Sequence, residues 1–299
     1  GSILSYLKSH QWAFRLTAGS GINGSNFKDF NISIALTELG ELHIEEIVNV
    51  VFSYISLLNS APIEPHYFNE KKSIAMLSFN YQEKLKPLDS VSQYVINMQH
   101  YPAEDYIFGD YIMENFNRKS TAELLSYLTA DNMRIIHISQ NIQVDKTSHW
   151  YQVPYSIKSL SEEQLTKWKN TSTNNALFLP PENEYIVSPE VLAQKQEGEL
   201  PEIIKQDSGF TCWYKQDQHF KVPKGYIYLG IDCPKAIVNT KTIAMTRLFI
   251  ELYSDNIIEE NYDAELAGIH YHLYAHQGGM TLQLSGVNEK QPKLLNKLL

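Results

Sequence analysis

Phe30-Asn31-Ile32-Ser33-Ile34-Ala35-Leu36, FNISIAL, sets Phe30, Ile32, Ile34 and Leu36 against Asn31, Ser33 and Ala35. That period of two predicts a strand with one buried face. The next residues, Thr37 to Ser60 (TELGELHIEEIVNVVFSYISLLNS), drop the alternation and are apolar around much of a helical circumference. They predict a long helix packed on a sheet, stopping before Pro62.

Upstream, SILSYLKSH has apolar residues at helical spacing, WAFRLTA suits a strand, and GSGINGSN is turn chemistry, so the two strands are expected to pair as a hairpin. Downstream lie three helical stretches: EPHYFNEKKSIAMLSFNYQE; DSVSQYVINMQ, with Asp89 or Ser90 as cap; and STAELLSYL, with Ser120 or Thr121 as cap. MRIIHIS (133–139) then reads as a buried strand, with His137 a satisfied sheet histidine rather than a ligand. Strands followed by helices and another strand predict an α+β fold, a mixed or antiparallel sheet with helices on one face.

From about residue 171 to 208 the texture turns to prolines (Pro180, Pro181, Pro189, Pro201) without sustained periodicity, as in a linker. Beyond it the pattern begins again: strands FTCWYKQD and GYIYLGIDCP, a helix from Asn239 to Ile269, then the strand pair HYHLYAHQGGMTLQLSGV. Two similar domains are expected, and 299 residues accommodate them.

A net charge of -9 argues against nucleic acid or an anionic membrane as partner, since both reward clustered Lys and Arg; basic peptides suit the chain better. There is no run of eighteen apolar residues and no signal-peptide pattern, so the chain reads as soluble, and its compartment, cytoplasm or periplasm, stays open. Its opening, GSILSYLKSHQW, starts almost in mid-helix, as expected of a piece of a longer protein. Two cysteines, Cys212 and Cys233, make no disulfide framework.

Two stretches raise the question of a metal. In HYHLYAH (270–276) a strand would place His270, His272, Tyr274 and His276 on one face, which permits metal binding. Without an evident carboxylate partner, a solvated strand face is the preferred reading. HIEEI (43–47) nearly matches H-x-x-E-H, in which two histidines bind zinc and glutamate acts as base, but Ile47 stands at the last ligand position. It reads as an amphipathic helix. Phosphate loops, Gly-x-Ser-x-Gly elbows and Cys-x-x-Cys pairs are absent from the sequence.

Several stretches then take on a shared meaning. GSILSYLKSHQWAFRLTAG, LHIEEIVNVVFSYISLL, WYQVPYSIKSLSEEQLTKW, LPPENEYI, CWYKQDQHFKVPKGYIYL, AELAGI and EKQPKLL occur in the order in which the middle of the insulinase family has similar segments. The chain as a whole resembles this family of zinc metallopeptidases, which groups insulin-degrading enzyme, pitrilysin and nardilysin. The resemblance implies four homologous α+β domains forming two bowl-shaped halves around a chamber. Residues 1–172 would be the second, non-catalytic domain lacking its start, 173–207 the linker, and 208–299 the beginning of a truncated third domain.

On this reading the chain holds no catalytic residue and no metal ligand. Zinc is expected in the first domain of the parent and no cofactor in this fragment. The implied partners are peptide substrates and the remaining domains of the parent chain, with no nucleic acid and no membrane. The family's substrate-anchoring strand falls on Leu16, Thr17, Ala18 and Gly19, with Ala18 where the family has glycine; Tyr271 falls on a chamber-lining tyrosine, although sheet packing accounts for it equally well. The expected function is the non-catalytic middle of a peptide-enclosing metalloendopeptidase, inactive alone. The alternatives are a scaffold subunit of the same family that has lost zinc, and a histidine-based metal binder.

Overall fold

The computed structural model describes residues 1–187 and 199–299; residues 188–198 of the expected linker lie outside the described residues. In chain order the elements are α1 (Ile3–Ser9), β1 (Ala13–Asn23), β2 (Lys28–Leu36), α2 (Glu38–Glu41), α3 (Ile44–Ser60), α4 (His66–Asn80), α5 (Pro87–Asn97) and α6 (Arg118–Ser126). There follow β3 (Lys146–Thr147), β4 (Pro154–Tyr155), α7 (Glu162–Lys169), β5 (Glu202–Asp207), β6 (Phe210–Tyr214) and β7 (Lys224–Asp232). The chain ends with α8 (Thr240–Ile257), α9 (Tyr262–Leu266), β8 (Ile269–His276), β9 (Gly279–Val287) and α10 (Gln291–Leu298). The mixture of helices and small antiparallel sheets is the α+β class that the sequence predicts.

Two compact units emerge, Gly1–Pro65 with Phe116–Pro181, and His66–Asn115 with Glu182–Leu299. In the first, β1 and β2 form the expected antiparallel hairpin, and α3 packs beside it. Leu7, Ala13, Ile47, Val50 and Leu177 make one buried cluster, with Ile34 and Leu36 of β2 against it. Phe52, Ala130 and Trp168 make another, so α3 carries buried residues into both. Thr37 follows the last residue of β2 and caps α2: its hydroxyl accepts the Gly40 N–H at 2.9 Å and donates to the Gln11 carbonyl at 2.6 Å. One side chain thereby satisfies an orphan helix donor and ties the entry of β1 to the exit of β2.

In the second unit β7, β9 and β8 form a three-stranded antiparallel sheet with β9 central. Leu282 and Leu284 of β9, Ile269 of β8, and Leu294 and Leu298 of α10 are buried together on its inner face. Burying an aliphatic side chain of this kind is worth about 1.5–3 kcal/mol. β5 and β6 form a separate hairpin, with β5 beginning inside the stretch read as linker.

Several local expectations change. MRIIHIS is not a strand: residues 133–138 have no regular structure, and Ile136 and Ile138 are 75% and 90% exposed. A strand exists only where a ladder partner is present, and among the described residues none pairs with this run. The segment is held instead at its polar end, where Ser139 hydrogen-bonds the Glu41 carboxylate and His137 Nε2 lies 3.5 Å from Glu41 Oε1. The cap of α6 is Asn117, not Ser120 or Thr121, and α5 starts at Pro87 in the first helical position, with Asp89 already in its first turn. The long helix expected from Asn239 ends at Ile257, where the buried Asn261 amide donates to the Ile257 carbonyl at 2.9 Å.

Candidate functional site

β1 belongs to a two-stranded sheet, so one of its edges has no strand partner among the described residues. Its pairing brings Leu16 opposite Ile34, Thr17 opposite Ser33, Ala18 opposite Ile32 and Gly19 opposite Asn31. A bulge precedes this run: Ala13 pairs with Leu36 and Arg15 with Ala35, leaving Phe14 as the extra residue. Leu16 and Gly19 are half-buried, Thr17 and Ala18 are exposed, and a Cβ built on Gly19 would meet nothing within 4 Å. A strand edge with small side chains and open space above it can accept main-chain hydrogen bonds from an extended peptide.

Tyr271 lies in the other unit, on β8 opposite Leu284, partly buried against the core cluster of that sheet. Burial, and then the Glu265 charge, push its phenol above the usual tyrosine range. Its backbone N–H donates to Glu265 Oε1 at 3.3 Å, and the other carboxylate oxygen lies 2.6 Å from His270 Nδ1. Tyr271 therefore shares the inner side of β8 with Ile269 and Leu273, with most of its ring in packing. Two clefts, of about 580 and 540 Å³, occur elsewhere, and neither is lined by Leu16, Thr17, Ala18, Gly19 or Tyr271.

The histidines of HYHLYAH lie on a strand, and each has a local neighbour. His270 is held by Glu265, the His272 ring stacks on Tyr274 at 5.3 Å, and His276 Nδ1 accepts the Gly278 N–H at 3.0 Å. Glu265 is a carboxylate partner that the sequence alone did not single out, although it stands only five residues before His270. Among the described residues no group of three or more His, Cys, Asp or Glu side chains is arranged to hold a metal ion. The HIEEI stretch does not fit zinc either. His43 caps α3 outside its first turn and stacks on Trp12 at 4.8 Å, while Ile47 is buried in the core.

Residues 79–299 match the family model described as the middle or third domain of peptidase M16. The chain belongs to the M16 peptidase family. Insulin-degrading enzyme of Bos taurus is 33% identical over 303 residues, a match covering all of this chain and 30% of the relative. Nardilysin of Rattus norvegicus is 32% identical over 308 residues, covering all of this chain and 26% of that protein. The crystal structure of pitrilysin superposes with a TM-score of 0.82 at 25% identity, covering all of this chain and 32% of that one. The M16 chain described here thus spans about 30% of the length of these relatives. Its fold is that of an M16 central region, as the sequence resemblance implied.

Proposed function

We propose that this chain is the non-catalytic middle of a zinc-dependent M16 metallopeptidase that encloses and degrades peptides. Residues 1–172 serve as its second domain, 173–207 as linker and 208–299 as the opening of its third. The relatives it matches include proteins named insulin-degrading enzyme, and peptide substrates follow from that likeness. Zinc and the hydrolytic residues belong to the first domain of the parent, outside these residues, so the chain by itself is inactive.

Within that enzyme the role assigned to this segment is to form chamber wall and hold substrate. The observation that carries it is the unpaired edge of β1 at Leu16, Thr17, Ala18 and Gly19, with open space over Gly19. A substrate's N-terminal stretch adds there as a third strand, its amides bonding to the main chain without strict choice of side chain. Ala18 costs little in that role because its methyl shares the face of Ile32, not the strand edge. Tyr271 contributes from the third domain through the part of its ring that packing leaves free.

The test is a binding titration of the chain with an extended peptide, its sequence-scrambled twin, and versions N-methylated at alternate residues. Strand addition predicts similar affinity for the scrambled peptide and a loss of about tenfold for one of the two N-methyl registers, since each blocked amide removes a hydrogen bond worth ~0.5–1.5 kcal/mol. Equal affinity for both registers would exclude it. A scaffold role for the parent is separated by assaying full-length protein for peptide cleavage and zinc content.

A further inference from the structure

The outer face of the β7-β9-β8 sheet contains a bare spot framed by aromatic rings and one carboxylate. Tyr226, Tyr228, Gly230 and Asp232 alternate with the core-packed Ile227 and Leu229 along β7, and Tyr226 and Tyr228 are 65% and 62% exposed. Register extends the rows across the sheet: Tyr228–Gln283–His272, Gly230–Thr281–Tyr274 and Asp232–Gly279–His276. Gly230 leaves the floor without a side chain between Tyr228 and Asp232, whereas Gly279 is buried against the Ile231 carbonyl. A Cβ built on Gly230 would meet nothing within 4 Å.

The frame is built. The Tyr228 ring is stacked with Tyr226 at 6.3 Å and 11°, and the Tyr274 ring with His272 at 5.3 Å and 25°, so each aromatic wall is supported by a neighbour. Asp232 is exposed at the end of β7 and, among the described residues, has no basic partner. β8 and β9 contain no Lys or Arg at all. The only cation of β7, Lys224, lies at the far end and donates to the Tyr81 carbonyl at 2.9 Å. Strand geometry makes the space about 13 Å long from Tyr228 to Asp232 and about 10 Å wide from β7 to β8.

We infer that this spot is a socket for a cationic side chain, arginine or lysine, of a bound peptide. The cation lies over the bare floor at Gly230, between the negative ring faces of Tyr228 and Tyr274, with Asp232 as its counter-charge. The Thr281 hydroxyl on the floor supplies a hydrogen-bond acceptor. Charge and shape both select the occupant: a neutral side chain gains nothing from Asp232, and an anionic one meets it with repulsion. The inference takes its ligand class from the peptide-holding reading above, but places the contact on a different sheet from β1.

The chain is titrated with an octapeptide carrying one central arginine and with the same peptide carrying citrulline, the neutral isostere. The expected result is about tenfold tighter binding of the arginine peptide, as cation–π and carboxylate contacts together provide. That ratio falls to about one in Asp232→Asn and in Gly230→Val, which fills open space and leaves the fold unstrained. An unchanged ratio in both variants overturns the socket. A second titration uses Nα-acetyl-arginine methylamide, followed by amide chemical shifts at Gly230 and Thr281. Shifts there without peptide binding uphold the socket and count against the peptide-holding reading. Peptide binding with a wild-type ratio of one overturns the socket and leaves that reading standing, and silence in both assays overturns both.

Discussion

Gly40 rests so close to the carbonyl of Trp12 that a Cβ added to it would lie 1.8 Å from the oxygen. That same carbonyl accepts the Thr37 N–H at 3.0 Å, so it is fixed by the turn that joins β2 to α2. The contact is backbone against backbone and has no side chain to move aside. Gly40→Ala is expected to destabilise the first unit by about 2–3 kcal/mol through overpacking. A urea titration that leaves the midpoint unchanged would contradict it.

Gly19 presents the opposite case. With nothing within 4 Å of its missing Cβ, Gly19→Val should alter stability by less than about 0.5 kcal/mol, as surface changes usually do. If an extended peptide pairs along β1, the valine crowds its approach, and peptide affinity drops severalfold while the unfolding midpoint holds. Retained affinity in this variant would move the binding strand elsewhere.

Asp263 lies in a setting that disfavours its charge. Burial first, then the Glu70 carboxylate, raise its pKa above the ordinary aspartate value; Lys297 opposes and Glu184 adds to the rise. A carboxyl whose folded pKa is raised stabilises the fold below the unfolded pKa and loses that contribution as pH rises through the folded value. Asp263→Asn should therefore raise the thermal midpoint at pH 7 and leave it nearly unchanged at pH 3. Equal effects at both pH values would assign the change to packing instead.

Glu41 behaves in the reverse sense. The Ser139 hydroxyl, more than Asn141 or His137, holds its carboxylate below the ordinary glutamate range. Its contribution is present above the unfolded pKa and is lost as pH falls through the lowered folded value. Ser139→Ala should shift the Glu41 carboxyl titration upward in a ¹³C experiment, and the irregular segment 133–138 should become more accessible to proteolysis. An unmoved titration would show that Asn141 and His137 suffice.

These relationships differ in how far the chain announces them. FNISIAL is legible because burial writes its period into consecutive residues, and so is most of the helix after it, although the single helix expected from Thr37 to Ser60 breaks at Leu42 and His43 into α2 and α3; Ile47 in HIEEI offers no donor atom to a zinc ion. MRIIHIS misled because the same apolar run suits a paired strand and an exposed segment alike; the partner that decides between them is not encoded in the run. The caps of α5 and α6 lie a few residues from the expected ones, at Lys86 ahead of Pro87 and at Asn117, because neighbouring residues are equally good starts. Candidate strand residues came from resemblance, not from pattern. The socket at Gly230 was invisible, since Tyr228, Asp232 and Tyr274 meet only once the register of three strands is known.

The bulge at Phe14 determines which faces the candidate strand shows. Ala13, Leu16 and Ala18 share a side with Leu36, Ile34 and Ile32, although two residues, not one, separate Ala13 from Leu16. If Phe14 paired within the ladder instead of bulging out, Arg15, Thr17 and Gly19 would inherit the core side and Leu16 would turn outward. Loss of the codon at position 14 would thus straighten β1 and leave each of its other side chains on the side it now occupies, whereas a codon lost after the bulge would exchange inside and outside for everything before it.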